Sequence, residues 1–221
     1  MPGITVTIDG PAGAGKSTVA RQLARRLGYL YVDTGAMYRA LTLAVMRSGV
    51  DPADAAAVAV VQAANEIALF DGGVRLNDED VSREVRTPAV DRLVSRVSAH
   101  AQVRATMLER QRELARAGGV VIEGRDAGTA IAPQAERKFF LTASLEERAR
   151  RRAADLRARG IDADAEALVP EIARRDREDT ERAVAPLAVP ADAEVLDTTG
   201  LDVEAIVSRL ETRCAGYAPR T

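Results

Sequence analysis

The 221-residue chain has one cysteine, one histidine, no tryptophan, four tyrosines and three phenylalanines. A single cysteine, Cys214, excludes an internal disulfide and a cysteine-based zinc finger, and points to a reducing compartment. A lone His100 leaves no serine–histidine nucleophile pair and reads as a structural or exposed side chain. The longest alanine-rich apolar run, 55–61, falls far short of a bilayer span. The first residues carry neither a basic nor an apolar leader region, so no signal peptide is expected. Net charge is −2, which with the scarcity of aromatics argues against a nucleic-acid-binding surface. Lysine is also nearly absent: of 31 basic residues only Lys16 and Lys138 are lysines. Lys138, beside an apolar strand, reads as a surface cation, whereas Lys16 sits in a motif.

What is present is an ordinary globular balance, 47% hydrophobic and 29% charged. The length suits one domain with insertions. Periodicity and punctuation predict strands over 4–8, 30–32, 120–122, 139–141 and 195–196. Helices are predicted over 15–27, 34–47, 52–68, 88–116 with a break near His100-Ala101, 144–159, 165–182 and 202–213. Ser144 and Glu147 match a capping box. A small hairpin turns at Asp71-Gly72-Gly73, and 77–87 reads as polar and irregular. Strands alternating with helices imply a parallel α/β sheet.

Gly10-Pro11-Ala12-Gly13-Ala14-Gly15-Lys16-Ser17, continued by Thr18, matches G-x-x-x-x-G-K-[ST] directly after a strand and at the start of a helix. Glycines let backbone N–H groups turn inward on an anion, and the helix N-terminus adds partial positive charge. Lys16 can reach the outer phosphates and the Ser17 hydroxyl can ligate Mg²⁺. ATP or GTP binding follows. A switch GTPase does not: neither lysine lies in an Asn-Lys-x-Asp, and Asp197-Thr198-Thr199-Gly200 comes too late in the chain for a switch loop.

Three further segments follow or precede predicted strands. They are Asp33-Thr34-Gly35-Ala36-Met37-Tyr38-Arg39, Glu123-Gly124-Arg125-Asp126-Ala127-Gly128-Thr129, and Arg175-Asp176 through Asp179 to Arg182-Ala183-Val184-Ala185-Pro186. In an open α/β sheet ligands bind at the carboxyl ends of strands, so Asp33, Arg39, Arg125 and Asp126 should converge on the transferred phosphate. Arginine suits that task because its planar fork gives two charge-assisted hydrogen bonds.

Together with the phosphate loop, these segments resemble the bacterial cytidylate kinases, over nearly the whole chain. Many members carry glycine, serine and aspartate where this chain has Ser17, Thr34 and Glu123. The resemblance implies a P-loop fold with a parallel five-stranded sheet flanked by helices. It divides the chain into a core (about 1–64, 101–143 and 183–221), a monophosphate-binding insertion (about 65–100) and a helical lid (about 144–182). It implies phosphoryl transfer from ATP, with Mg²⁺, to CMP or dCMP, in a cytoplasmic monomer. Arg39, Arg125 and Arg182 would grip the acceptor phosphate, and Thr34 and Tyr38 would line its pocket. Ser95, Arg104 and Asp126 would read the cytosine edge, and Arg175 and Asp179 would hold the ribose. Glu123 could hold a magnesium-bound water.

Ten arginines and eleven acids fall within 144–182, which reads mostly as solvated helices laced with ion pairs. Arg148, Arg152 and Arg159 lie close to one helix face, and Arg148 and Arg152 are the candidates for stabilising the transition state beside Lys16 and Arg125. A kinase for another monophosphate such as UMP, a kinase for a small alcohol with Asp33 as base, and a nucleotide-binding regulatory module are the alternatives.

Overall fold

The structure is a computed structural model that describes residues 3–70 and 73–215. The predicted turn residues Asp71 and Gly72 lie outside the described residues, as do 1–2 and 216–221.

Five parallel strands form the central sheet: β1 (Thr5–Asp9), β2 (Leu30–Asp33), β6 (Val120–Glu123), β7 (Arg137–Thr142) and β8 (Glu194–Asp197), in the order β2-β6-β1-β7-β8. All five residues of β1 and all four of β6 are buried. Continuous burial, rather than alternation, is what a parallel sheet covered on both faces requires. One face packs on α1 (Lys16–Leu27) and α8 (Val203–Cys214), with Leu23, Ile8, Leu141 and Leu210 in the shared core. The register aligns Ile8 and Asp33 with Glu123, and Thr142 with Asp197. Parallel pairing thus brings the carboxyl ends of all five strands to one edge.

Aspartate side chains cap the two helices that come after β2 in the chain. Asp33 accepts from Ala36 N at 2.8 Å at the start of α2 (Thr34–Ser48). Asp54 accepts from Ala56 N and Ala57 N at the start of α3 (Ala55–Ala63). That cap places α3 inside the longer helix expected over 52–68. At its end Glu66 N donates to Asn77 Oδ1 and Asn77 N to Glu66 O, which closes the open end of a hairpin instead of continuing the helix.

The hairpin comprises β3 (Ile67–Phe70) and β4 (Gly73–Leu76), and a third antiparallel strand, β5 (Glu79–Asp80), extends it within the stretch expected to be irregular. Leu76 pairs with Glu79 across Asn77 (φ 49°) and Asp78 (φ 67°), a two-residue turn with both central residues left-handed. After a short 3₁₀ turn at Glu84–Arg86, α4 (Pro88–Ala99) and α5 (Ala101–Arg116) run on either side of His100, at the expected break. Pro88 suits the first turn because its missing N–H has no intrahelical partner there.

Two helices cover the sheet edge: α6 (Leu145–Ala158) and α7 (Ala165–Glu181), packed on each other. The capping box at α6 is half formed. Ser144 Oγ accepts from Glu147 N at 3.2 Å, but the Ser144 N–H donates to Thr199 Oγ1. The Glu147 carboxylate instead accepts from Arg150 and Arg151.

Candidate active site

A cleft of about 1440 Å³ runs along the carboxyl edge of the sheet, between the phosphate loop, the β3–α4 region and helices α6 and α7. Single-ligand pockets usually measure about 300–1,000 Å³, so there is room for two nucleotides.

The phosphate loop closes one side. Gly10 (φ 146°) passes so near β7 that a Cβ there would sit 2.0 Å from the Leu141 carbonyl oxygen. Gly15 (φ 87°) is the left-handed N-cap of α1. Lys16 Nζ folds back to donate to Pro11 O at 2.7 Å. Burial, and next the Arg125 guanidinium, lower the Lys16 ammonium to about 7.

Ser17 Oγ donates to Glu123 Oε1 at 2.7 Å, and Tyr31 OH donates to Glu123 Oε2 at 2.7 Å. Burial, and then the charge of Asp33, raise the Glu123 carboxyl. Thr34 lines the cleft, but its hydroxyl donates to the Glu123 carbonyl at 2.6 Å and so ties α2 to β6. Asp33 has both oxygens engaged: Oδ1 caps α2, and Oδ2 pairs with Arg86 at 2.5 Å. A side chain held that way is a poor general base, which speaks against an alcohol acceptor.

Residues from four helices (α2, α4, α5 and α7), the loop after β6 and the segment after α7 line the same cleft. Asp126, 4% exposed, accepts from Arg104 Nη2 on Oδ2 at 2.5 Å and from Arg182 Nη2 on Oδ1 at 3.2 Å. Arg104 is 0% exposed and lies over the Tyr38 ring, 5.2 Å from its centroid. Asp179 pairs with Arg125 Nε at 2.9 Å and Arg182 Nη1 at 3.7 Å. Burial opposes ionisation of Asp179, but the guanidiniums of Arg125, Arg182 and Arg175 outweigh it and lower its carboxyl. Ser95 is buried in α4 and lines the same cleft. Arg39 Nη1 donates to Val85 O at 3.0 Å, and Nη2 pairs with Asp91 at 2.5 Å. The acceptor residues that the resemblance implies thus line one cleft together with Lys16.

The arginines of α6 and its C-cap, Arg159, divide. Arg152 and Arg159 line the cleft, whereas Arg148 does not. Arg148 is buried behind the phosphate loop, where Nε donates to Ala143 O and Nη1 to Ala12 O, both at 3.0 Å. It also pairs with Asp176, whose Oδ1 accepts from Ala12 N at 3.1 Å. A side chain so placed braces the loop; the expectation that it lies beside the transferred phosphate does not fit this position. Arg151, which was not singled out, lines the cleft and donates to Thr198 Oγ1 at 3.0 Å and Thr198 O at 2.6 Å.

Two other residues carried no signal in the motifs. Asp9, fully buried at the end of β1, accepts from Ala127 N at 2.8 Å and Gly128 N at 2.7 Å. It thereby pins the π-helical turn Ala127–Ile131, and with it Arg125 and Asp126 just upstream. Burial raises the Asp9 carboxyl to about 6, and the two backbone donors only partly offset that. Arg86 holds Asp33 from the 3₁₀ turn that precedes α4.

The comparisons agree with this geometry. A family model described as cytidylate kinase matches residues 6–214. A cytidylate kinase of Symbiobacterium thermophilum is 52% identical over 216 residues, covering 96% of each chain. Another, of Pelotomaculum thermopropionicum, is 51% identical over 213 residues and 94% of each chain. In fold alone, the chain is similar to an uncharacterized protein from Eubacterium ventriosum, with a TM-score of 0.53, 12% identity, and coverage of 97% of this chain and 99% of that one. A phosphate loop that shares its cleft with several arginines, on a chain that matches these kinases over 94–96% of its length, leaves one assignment: the chain belongs to the cytidylate kinase family.

Proposed function

We propose that the chain transfers the γ-phosphoryl group of ATP to CMP or dCMP, giving ADP and CDP or dCDP. One observation carries the reading. Arg39, Arg125 and Arg182 line the same cleft as Lys16 of the phosphate loop, with a buried Asp126 held between two guanidiniums. A binding module would have no use for a second phosphate grip.

Residues Gly10 to Thr18 would cradle the ATP phosphates with backbone N–H groups and the α1 N-terminus. Lys16 would leave the Pro11 carbonyl for the outer phosphates, and their charge would return its proton. Arg39, Arg125 and Arg182 would hold the acceptor phosphate in line, a task of positioning and charge neutralisation. The acceptor oxygen is already ionised at neutral pH, so no general base is required.

The donor set fits Mg²⁺: the Ser17 hydroxyl, with the Glu123 carboxylate 2.7 Å from it, offers hard oxygens. Among the described residues no group of three or more His, Cys, Asp or Glu side chains could hold a metal by itself. Ser17 would therefore share the ion with phosphates and water. When bound, it would neutralise charge between the outer phosphates.

Asp126, with Ser95 and Arg104, would read cytosine, because a carboxylate can accept from its exocyclic amino group. The wrong base would leave buried polar groups unpaired, at about 1–3 kcal/mol each. Arg175 and Asp179 would hold the ribose. Segment 144–182 would act as the lid, with Arg152 in the transition state and Arg148 as a brace, and 65–100 as the monophosphate-binding insertion. Closure would exclude water as a competing acceptor.

No helix among the described residues is long and apolar enough to cross a membrane, the scarcity of cysteine supports work in the reducing cytoplasm, and the family resemblance implies a monomer. ADP release from ATP–Mg²⁺ with CMP, dCMP, UMP, AMP, GMP and shikimate as separate acceptors tests the reading. Turnover dominated by CMP and dCMP is expected. Preference for another acceptor would overturn the cytosine pocket, and no turnover with any would overturn the kinase.

A further inference from the structure

Asp91, on α4, belongs to none of the motifs, yet it gathers more arginine partners than any motif residue. It is 2% exposed. Arg39 Nη2, from α2, lies 2.5 Å from Oδ1, and Arg175 Nη1, from α7, lies 3.2 Å from the same atom. Arg152 Nη2, from α6, donates to Oδ2. Burial alone would raise this carboxyl, but the three guanidiniums outweigh it and hold the carboxyl below its ordinary range.

Burying α4 does not require this group. Val90, Val94 and Val97 already anchor the helix, and a buried carboxylate pays a desolvation penalty that alanine would avoid. What Asp91 does is join parts of the molecule. Arg39 comes from the core, Asp91 from the insertion, and Arg152 and Arg175 from the helices that cover the cleft. A second tie lies alongside: Arg159 Nη1 donates to the Arg86 carbonyl at 3.3 Å, and α4 packs on α7. The charge balance is also telling. Arg39, Arg152 and Arg175 share Asp91, and Arg152 also pairs with Asp155 at 3.0 Å, so three cations at the cleft meet two carboxylates. A phosphate monoester brings about −1.5 to −2 at neutral pH. Asp91 therefore orders the arginines without exhausting their capacity for a phosphate. Arg175 Nε, buried and without a partner, is a donor still to be used.

We infer that Asp91 is a positioning residue for the acceptor phosphate, whose carboxylate ties Arg39 of the core to Arg152 and Arg175 of the overlying helices, so that phosphate grip and lid reach their working arrangement together. This rests on the reading that the acceptor is a phosphate monoester held by Arg39.

The test compares Asp91→Asn, which keeps the shape and removes the charge, with Asp91→Glu, which keeps the charge. Steady-state kinetics are read separately for the acceptor and for ATP. Asp91→Asn raises the acceptor KM by about tenfold or more and leaves the KM for ATP within about twofold, while Asp91→Glu recovers most of the loss. An acceptor KM that is unchanged, or that falls because the carboxylate had been competing with the phosphate, overturns the inference. So does an equal rise in both KM values that glutamate does not rescue, the mark of a merely structural role. Should Asp91→Asn fail to fold, Asp91→Asn with Arg152→Gln removes an anion and a cation together. Its acceptor KM exceeds that of Arg152→Gln alone, and equal values overturn the inference. A wild-type chain that phosphorylates no monophosphate overturns the underlying function as well. An active wild type with an indifferent Asp91→Asn variant overturns only the role of Asp91.

Discussion

The two sides of the cleft are built in opposite ways. On the donor side one contiguous segment, Gly10 to Thr18, presents backbone amides, and its shape is set by close packing such as that of Gly10 on the Leu141 carbonyl. On the acceptor side the groups are side chains drawn from α2, α4, α5, the β6 loop, α7 and the segment after α7, held by ion pairs on Asp91, Asp126 and Asp179. A backbone cradle is rigid and tolerates almost no side chain. A web of arginines and carboxylates can exchange one anion for another and can move with the elements that carry it. The comparison thus sets a rigid backbone cradle against a web of exchangeable ion pairs within one cleft.

The sharpest way to break it is on the donor side. Lys16→Ala removes the cradle's one mobile cation, and kcat in the ADP-release assay is expected to fall about 10²–10³-fold. A loss below tenfold would mean that the backbone alone does the donor's work. On the acceptor side, Asp126→Asn leaves the fully buried Arg104 without its counter-charge. The expected cost is about 3–5 kcal/mol of stability by denaturant unfolding, together with loss of the preference for CMP over UMP. A folded variant of unchanged stability and preference would show that the web is not anchored there.

Arg148 and Arg152 sharpen the contrast within one helix. Arg148→Ala is expected to weaken ATP binding about tenfold through the unbraced Ala12 segment, with a smaller effect on kcat. Arg152→Ala is expected to leave ATP binding within about twofold and to lower kcat about tenfold or more. The reverse pattern would exchange their roles.

The smallest effect is a proton. In the free protein Lys16 is held near 7, well below its ordinary value, so below pH 7 it is charged and above pH 7 increasingly neutral. Bound phosphates favour the charged form. ATP binding at pH 7.5 should therefore take up part of a proton, measurable by calorimetry in buffers of different ionisation enthalpy, and affinity should decline as pH rises above 7. No proton uptake would mean that the ammonium stays charged under the Pro11 carbonyl.

Much of the fold was legible because it is locally encoded. The strands over 120–122 and 139–141 are short and apolar with turn residues beside them, the break at His100 separates α4 from α5, and the glycine-rich turn between β1 and α1 carries its own motif. Where the reading fell short, distant partners had intervened. Helix α3 stops at Ala63 because Asn77, fourteen residues on, ties the chain into a hairpin. Strand β5 escaped notice because Asn77-Asp78 makes its left-handed turn without glycine. At the site, the motif residues meet in one cleft, but the work of each was harder to see. The thirty-five residues from Arg148 to Arg182 include arginines that sit in the cleft wall and one that sits behind it.

From the sequence by itself follow the parallel α/β architecture, the phosphate cradle and the family, because a glycine's freedom, a helix's period and a lysine at a fixed offset are properties of neighbours along the chain. Only the tertiary structure decided which arginine meets which carboxylate: Arg148 behind the loop, Arg152 and Arg175 on Asp91, Asp9 beneath the turn that presents Arg125 and Asp126. A long charged side chain can reach many partners, and burial selects those that pair it with an opposite charge in the dry interior.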